Sequence, residues 1–292
     1  MNLIKSILGI VRAPFLILAP ACVAVGIGTA HWQTKEMNWL YSLLIVIGAV
    51  SAHISVNVFN EYFDFKSGLD AKTQRTPFSG GSGTLQARPE FVKITLFVAC
   101  LSFIITAAIG LFFIWVRGWQ LLPIGITGLF ILVAYTPLLT RNPILCLIAP
   151  GLGFGVLMVM GTHFALTGTY TWTSFVASLI PTFLVSNLLL LNQFPDIDAD
   201  RSIGRKNFPI VIGAKASSWL FGLLLVLTYI TVIIGIILRL LPNFCVLALL
   251  TAFWARRAYR DSRKNAENDS YSIRSMGINC LLYTSPSPRD CS

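Results

Sequence analysis

Eight mostly apolar runs, at residues 14–31, 40–59, 91–115, 120–138, 144–166, 174–194, 217–238 and 241–254, constrain this chain more than any other feature. A helix of about 20 residues spans the hydrocarbon core of a bilayer. Inside lipid the backbone has no water to bond with, so each run satisfies its own N–H and C=O groups by coiling into a helix. The expected fold is therefore all-α, a polytopic helical bundle with the lipid bilayer as its surroundings. Charge agrees: Asp, Glu, Lys and Arg make up 12% of the chain, against roughly 25% in a soluble domain. Soluble binding modules and structural proteins are both excluded. The first run lacks a small-residue cleavage pattern and reads as a retained span.

Lys and Arg orient the bundle, because cytoplasmic loops carry the excess of them. With the N-terminus in the cytoplasm, the tail and the even-numbered loops collect Lys5, Arg12, Lys66, Lys72, Arg75, Arg88, Arg141, Arg201, Arg205, Lys206 and the basic run from Arg256 to Lys264. The other side keeps Lys35, Arg117 and Arg239. The formal charge of +10 is thus a topology signal. The basic residues are spread over several loops without a binding motif, so no nucleic acid partner is expected.

Two acidic segments interrupt the pattern: NVFNEYFDFKSGLD, from Asn57 to Asp70, and NQFPDIDADRSIGRK, from Asn192 to Lys206. Residues three and four apart share a helix face. His53, Asn57, Asn60, Glu61 and Asp64 then form a polar stripe at the end of the second span, and Asn192, Asp196 and Asp200 form another on the sixth. Acids in spans face the bundle interior, since lipid is too costly. Crowded carboxylates repel unless cations neutralise them, and magnesium suits hard oxygens, typically held by one or two carboxylates plus phosphate oxygens. Two such patches at one membrane face read as metal sites that grip one diphosphate. Beside them Gly80, Gly81 and Gly83, with Ser79 and Ser82, can turn backbone N–H groups toward phosphate, and Lys72, Arg75, Arg201, Arg205 and Lys206 supply positive charge. Intramembrane acids also mark ion-coupled transporters, whose signature is a repeat with helices interrupted near the midplane. Here the acids lie at helix ends.

At these residues the chain resembles the UbiA superfamily of membrane prenyltransferases. Its paired aspartate-rich motifs match Asn60, Asp64 and Asp70 in the first segment and Asp196 and Asp200 in the second. The Gly68–Leu69–Asp70 ending looks closest to the 1,4-dihydroxy-2-naphthoate polyprenyltransferases of menaquinone synthesis. Glu61 departs from the pattern, where Asp commonly follows the Asn. The resemblance implies nine helices around a cavity open to the bilayer, a location in a prokaryotic cell membrane, and a polyprenyl diphosphate and an aromatic acceptor as substrates. It also implies Mg2+, as two ions bridging the diphosphate, held by Asn60, Asp64, Asp196 and Asp200 with Asp70 as a further ligand. Lys72, Arg75, Arg201 and Lys206 would bind diphosphate, and Asp64, Asp196, Asp200 and Tyr135 would form the catalytic set. Tyr62, Phe63 and Tyr135 would face a developing allylic cation, Arg141 would hold an acceptor carboxylate, and His53 or His163 would take a proton. The same clamp serves other acceptors in the superfamily: 4-hydroxybenzoate, a porphyrin-type ring, a lipid or a carotenoid.

The stretch CLLYTSPSPRD, Cys280 to Asp290, changes character abruptly and resembles a translated sequencing adapter. The expected organisation is one prenyltransferase domain over residues 1–279, followed by a non-native scar over 280–292 in place of a ninth span. Cys22, Cys100, Cys146 and Cys245 show no metal-ligand spacing and read as small packed residues.

Overall fold

The computed structural model describes residues 3–73 and 81–267. These form twelve α-helices: α1 (Leu3–Ile10), α2 (Leu18–Thr34), α3 (Trp39–Ser67), α4 (Thr84–Ala87), α5 (Val92–Arg117), α6 (Leu122–Ala134), α7 (Pro143–Leu152), α8 (Gly161–Thr167), α9 (Trp172–Gln193), α10 (Ile197–Ser202), α11 (Phe208–Ile237) and α12 (Ala252–Glu267). There is no strand among the described residues. Four of the long helical stretches start at short polar residues that accept the first free N–H groups. Asn38 accepts from Tyr41, Asn142 from Ile144 and Leu145, Asn207 from Ile210, and Thr171 and Ser174 cap each other reciprocally.

Six helical stretches are long and apolar enough to cross a membrane: Ala13–Thr34, Trp39–Ser67, Pro89–Arg117, Pro143–Thr167, Trp172–Gln193 and Phe208–Ile237. The fourth expected span is a shorter helix, Trp119–Ala134. The eighth is a 3-10 stretch, Asn243–Thr251, running into the basic α12. Residues 280–292, expected to be a scar, lie outside the described residues.

Packing divides into two halves joined through α2. On one side α3 lies along α5; on the other α9 lies against α7 and α11, and α12 covers α11. Between them α2 touches α3, α8 and α9. Without a hydrophobic drive in lipid, close approach depends on small residues. A Cβ on Gly151 would strike Ser186, and one on Gly155 would strike Thr182, so α7 and its continuation sit backbone to backbone on α9. That continuation, Gly153–Met160, is a π-helical segment just after Pro150, whose ring cannot donate to the helix ladder. Large apolar side chains such as Phe97, Leu111 and Ile237 face outward. Exposed Trp32, Trp39, Trp115, Trp119 and Trp172 all lie near the helix ends opposite the acidic segments, as an interfacial aromatic belt does.

Candidate active site

The helices enclose a cavity of about 590 Å³. Most of its wall is apolar, with Ile45 and Ile109 from one half and Leu157 and Leu189 from the other, while the polar residues gather where α3 and α9 end. There Asn60, Asp64, Asp70, Asp196, Asp200 and Tyr135 all line one space, as the two stripes predict.

The first stripe lies on a continuous helix. Asn57 donates to the Val11 carbonyl (3.1 Å), and Asn60 is held from both ends: its Oδ1 accepts from Arg12 (3.2 Å) and its Nδ2 donates to Thr136 Oγ1 (3.2 Å). Glu61 is fully buried and faces away from metal chemistry. Its carboxylate accepts from the backbone N–H of Ser82 (3.1 Å) and from the Ser82 hydroxyl, with Arg12 at 3.7 Å. The helix ends at Gly68, whose φ of 73° a side chain would strain. Asp70 follows on a short 3-10 turn and packs on Gly81, where a Cβ would come within 2.7 Å of Asp70 Oδ1. Gly81 thus has the positive φ and the bare backbone that bring this loop against an acid.

The second stripe is not on one helix. α9 stops at Gln193: Phe194 keeps helical backbone angles, but Pro195 has no N–H to carry the helix ladder on, and α10 starts afresh with Asp196 at its N-cap. The break still delivers Asn192, Asp196 and Asp200 to the cavity. Buried Asp200 accepts from Arg205 (3.1 Å) and from Asn207 (2.8 Å). Arg205 also pairs with Asp64, so a single guanidinium ties the two stripes together.

Burial, and then the charge of Asp200, pushes the Asp196 carboxyl up to about 7. Burial raises Asp200 as well, against the pull of Arg205. For Arg205 burial works against its charge, but Asp64 and Asp200 outweigh it and hold the guanidinium above its ordinary value.

Several expected residues lie elsewhere. Arg201 is exposed and reaches Asp198 at 3.8 Å, and Lys206 and Arg141 are exposed and do not line the cavity. Exposed Lys72 donates to Ser202 (3.3 Å), bridging the two loops outside it. Arg75, Ser79 and Gly80 fall outside the described residues. Tyr62 and Phe63 pack on each other and on Phe59 and Lys66. Buried His53 does line the cavity, edge-on to Phe154, whereas His163 is tied to Thr29 and Thr171 at the far end. The residues that spacing did not single out are Arg12, which reads as a topology charge, and Gln193, which lies off the stripe. Arg205 reads as one of three basic residues, and its only distinguishing signal is the preceding Gly204, whose φ of 79° folds the chain back on Asp200.

The donor set suits magnesium. Asn192 Oδ1 and Asp196 Oδ1 are shielded from solvent and meet no hydrogen-bond partner among the described residues, and both belong to side chains lining the acidic end. Among those residues no three His, Cys, Asp or Glu side chains stand close enough to hold one ion by themselves. An ion here therefore needs phosphate oxygens or water to complete its shell, the usual habit of magnesium.

The pattern of the UbiA prenyltransferase family matches residues 17–281. A 1,4-dihydroxy-2-naphthoate octaprenyltransferase of Bacillus subtilis (strain 168) is 29% identical over 220 residues, covering 74% of this chain and 69% of that protein. Another of the same name, from Mycobacterium leprae (strain TN), is 25% identical over 271 residues, covering 91% and 88%. A UbiA homolog from Archaeoglobus fulgidus bound to GPP and Mg2+ has the same fold, with a TM-score of 0.73 at 14% identity over 95% of this chain and 96% of that one.

Proposed function

Because the chain belongs to the UbiA prenyltransferase family, we propose that it transfers a polyprenyl group from its diphosphate to 1,4-dihydroxy-2-naphthoate in menaquinone biosynthesis. The observation that carries this reading is the meeting of two acidic segments at the polar end of a long apolar cavity. The names of the bacterial relatives support the naphthoate as acceptor. The site lies at the cytoplasmic face of a prokaryotic cell membrane, on the side where Lys and Arg collect.

Asp64, Asp196 and Asp200 would hold Mg2+, as two ions, with Asn192 and Asp70 beside them; Asn60, bonded to Arg12 and Thr136, would join them only by giving up one of those partners. When bound, magnesium neutralises the diphosphate and makes it a better leaving group. Arg12 and Arg205, the cationic side chains lining the acidic end, then face the departing oxygens and stabilise their charge. Arg205 exchanges part of its pairing with Asp64 and Asp200 for phosphate, to which a guanidinium fork is well matched. The bond between the first prenyl carbon and the diphosphate oxygen breaks, its electron pair leaving with the diphosphate. A ring carbon of the acceptor supplies the pair for the new C–C bond, and the ring carboxylate departs as carbon dioxide. Phe154 and Tyr135 border this space with their π-systems, and the apolar wall keeps water from capturing the cation.

The test is an assay of the purified protein in detergent with a labelled polyprenyl diphosphate, with magnesium or with chelator. A lipid-soluble labelled product that forms with the naphthoate, needs magnesium and does not form with 4-hydroxybenzoate is the expected result. Product with the benzoate alone moves the reaction to another acceptor of the family.

A further inference from the structure

Gln193 is the last residue of α9, and its side chain lines the cavity although it lies off the metal-facing stripe. The residue is 94% buried. Its amide is held at one end only: Nε2 donates to Cys146 Sγ at 3.3 Å. Cys146 is itself fixed on α7, where its carbonyl accepts from the Tyr135 hydroxyl at 3.3 Å. The other end, Oε1, is out of solvent and has no hydrogen-bond partner among the described residues. A buried carbonyl oxygen without a donor is costly and calls for an explanation. Cys146 anchors the amide from one side, and the side chain it fixes lines the cavity.

We propose that Gln193 Oε1 accepts a hydrogen bond from a phenolic hydroxyl of the acceptor ring, making Gln193 a specificity-determining residue for hydroxylated aromatic acceptors. This rests on the prenyltransferase reading above. Oε1 has lone pairs only, so it takes a hydrogen-bond donor or a hard cation; it lies off the stripe that carries the metal-binding acids, and of the two substrates neither the diphosphate nor the prenyl chain has a donor to offer. The acceptor ring does. Gln193 ends α9 and Asp196 caps α10 three positions on, and both line the same cavity, so a ring bound here lies beside the diphosphate end of the donor. The hydrogen bond also has an electronic consequence. A hydroxyl that donates to an amide gains electron density on its oxygen and passes it to the ring carbons ortho and para to it, those that attack the prenyl cation. Tyr135 and Cys146 act at one remove, as positioning residues.

The experiment compares the full-length protein with Gln193→Met, which keeps length and volume but loses the oxygen, and Gln193→Glu, which keeps an accepting oxygen. Initial rates are measured in detergent against both substrates, with the naphthoate and 4-hydroxybenzoate as acceptors and with the mono-methyl ethers of whichever acceptor is used. The Met variant is expected to raise the acceptor KM about tenfold, as for the loss of one buried hydrogen bond, and to leave the KM for prenyl diphosphate within about twofold. The Glu variant keeps the accepting oxygen but loses the donor to Cys146 and adds a charge near Asp196, so it should recover the selectivity and not the full rate; it and the wild type should reject one methyl ether that the Met variant takes as readily as the parent phenol. An unchanged acceptor KM in a folded Met variant overturns the proposal, as does an equal rise in both KM values. If the Met variant does not fold, equal use by the wild type of the parent phenol and every ether is the overturning result. A wild type that uses neither acceptor defeats the functional reading and this proposal with it, whereas an active wild type with indifferent variants defeats the proposal alone.

Discussion

The two acidic segments reach one cavity by different means. The first lies within the unbroken α3, and two of its polar groups are already committed to protein partners: Asn60 to Arg12 and Thr136, Glu61 to Ser82 and Arg12. The second is assembled across the break at Pro195, and it leaves three accepting oxygens, on Asn192, Gln193 and Asp196, without partners among the described residues. In the first segment Asn60 and Glu61 serve as scaffold while Asp64 and Asp70 still line the cavity; the second, Asp200 apart, is mostly receptor. A sequence pattern shared by both therefore does not mean that their residues do equal work.

The sharpest way to break this contrast is to truncate one acid from each side. Asp196→Ala is expected to lower turnover by about a thousandfold or more, on the scale of losing a buried electrostatic contact to a leaving group, with the protein still inserted and folded. Glu61→Ala should act differently, because Glu61 reaches the site only through its neighbours Ser82 and Arg12. Its expected effect is about a tenfold rise in the KM for prenyl diphosphate, the size of a lost hydrogen-bond pair, with kcat changed little. If Glu61→Ala matches Asp196→Ala in kcat, the first segment is not scaffold and the contrast fails.

Arg205 and Arg201 sharpen it from the basic side. Arg205 joins Asp64 to Asp200 inside the cavity, while Arg201 is exposed and faces Asp198 at the surface. Arg205→Ala leaves two buried acids without their cation and removes a charge from the diphosphate. Turnover should fall about a hundredfold, within the usual range for such a group. Exposed ion pairs contribute little, so Arg201→Ala should stay within about twofold of the parent. Steady-state rates at saturating magnesium decide between them; comparable losses in both variants would mean that the surface loop, and not the cavity cation, grips the substrate.

What the sequence made legible follows from the range of each signal. Apolar runs report burial in lipid along the whole chain, so the all-helical bundle and most of its long helices were readable. The spacing of Asn60 and Asp64 was readable because one helix carries both. The break between Gln193 and Asp196 was marked by Pro195, but a three-and-four spacing that continues across a proline disguises it. Arg12 and Gln193 were not legible as site residues, and Arg205 could not be told from its basic neighbours, since their places depend on contacts 48, 47 and 141 residues away in the chain. Basic residues carry a second message, topology, and the sequence cannot separate the two: Arg201 and Lys206 look as good as Arg205 until the turn at Gly204 is seen to aim only one of them inward.

The smallest expected effect comes from protons, and its direction tests the receptor side without any turnover. Asp196 is pushed up to about 7 by burial first and by Asp200 second, against about 3.9 for an aspartate in an unfolded chain. Between those values the folded protein keeps a proton that the unfolded chain has released, so low pH favours the folded state. Stability should fall as pH rises from about 4 to about 7 and level off above that, with Asp200, also raised by burial, adding to the same trend. Melting in detergent with chelator should therefore drop by a few degrees across this window. Asp196→Asn, which cannot ionise, should flatten the curve, whereas Glu61→Gln should leave its slope in place. Magnesium favours the ionised carboxylate, so adding it should raise the melting temperature more at pH 8 than at pH 5. A slope of the opposite sign would mean that Asp196 is already held in its charged form by neighbouring cations. It would then belong with the committed residues of the first segment, and the division between scaffold and receptor would have to be drawn elsewhere.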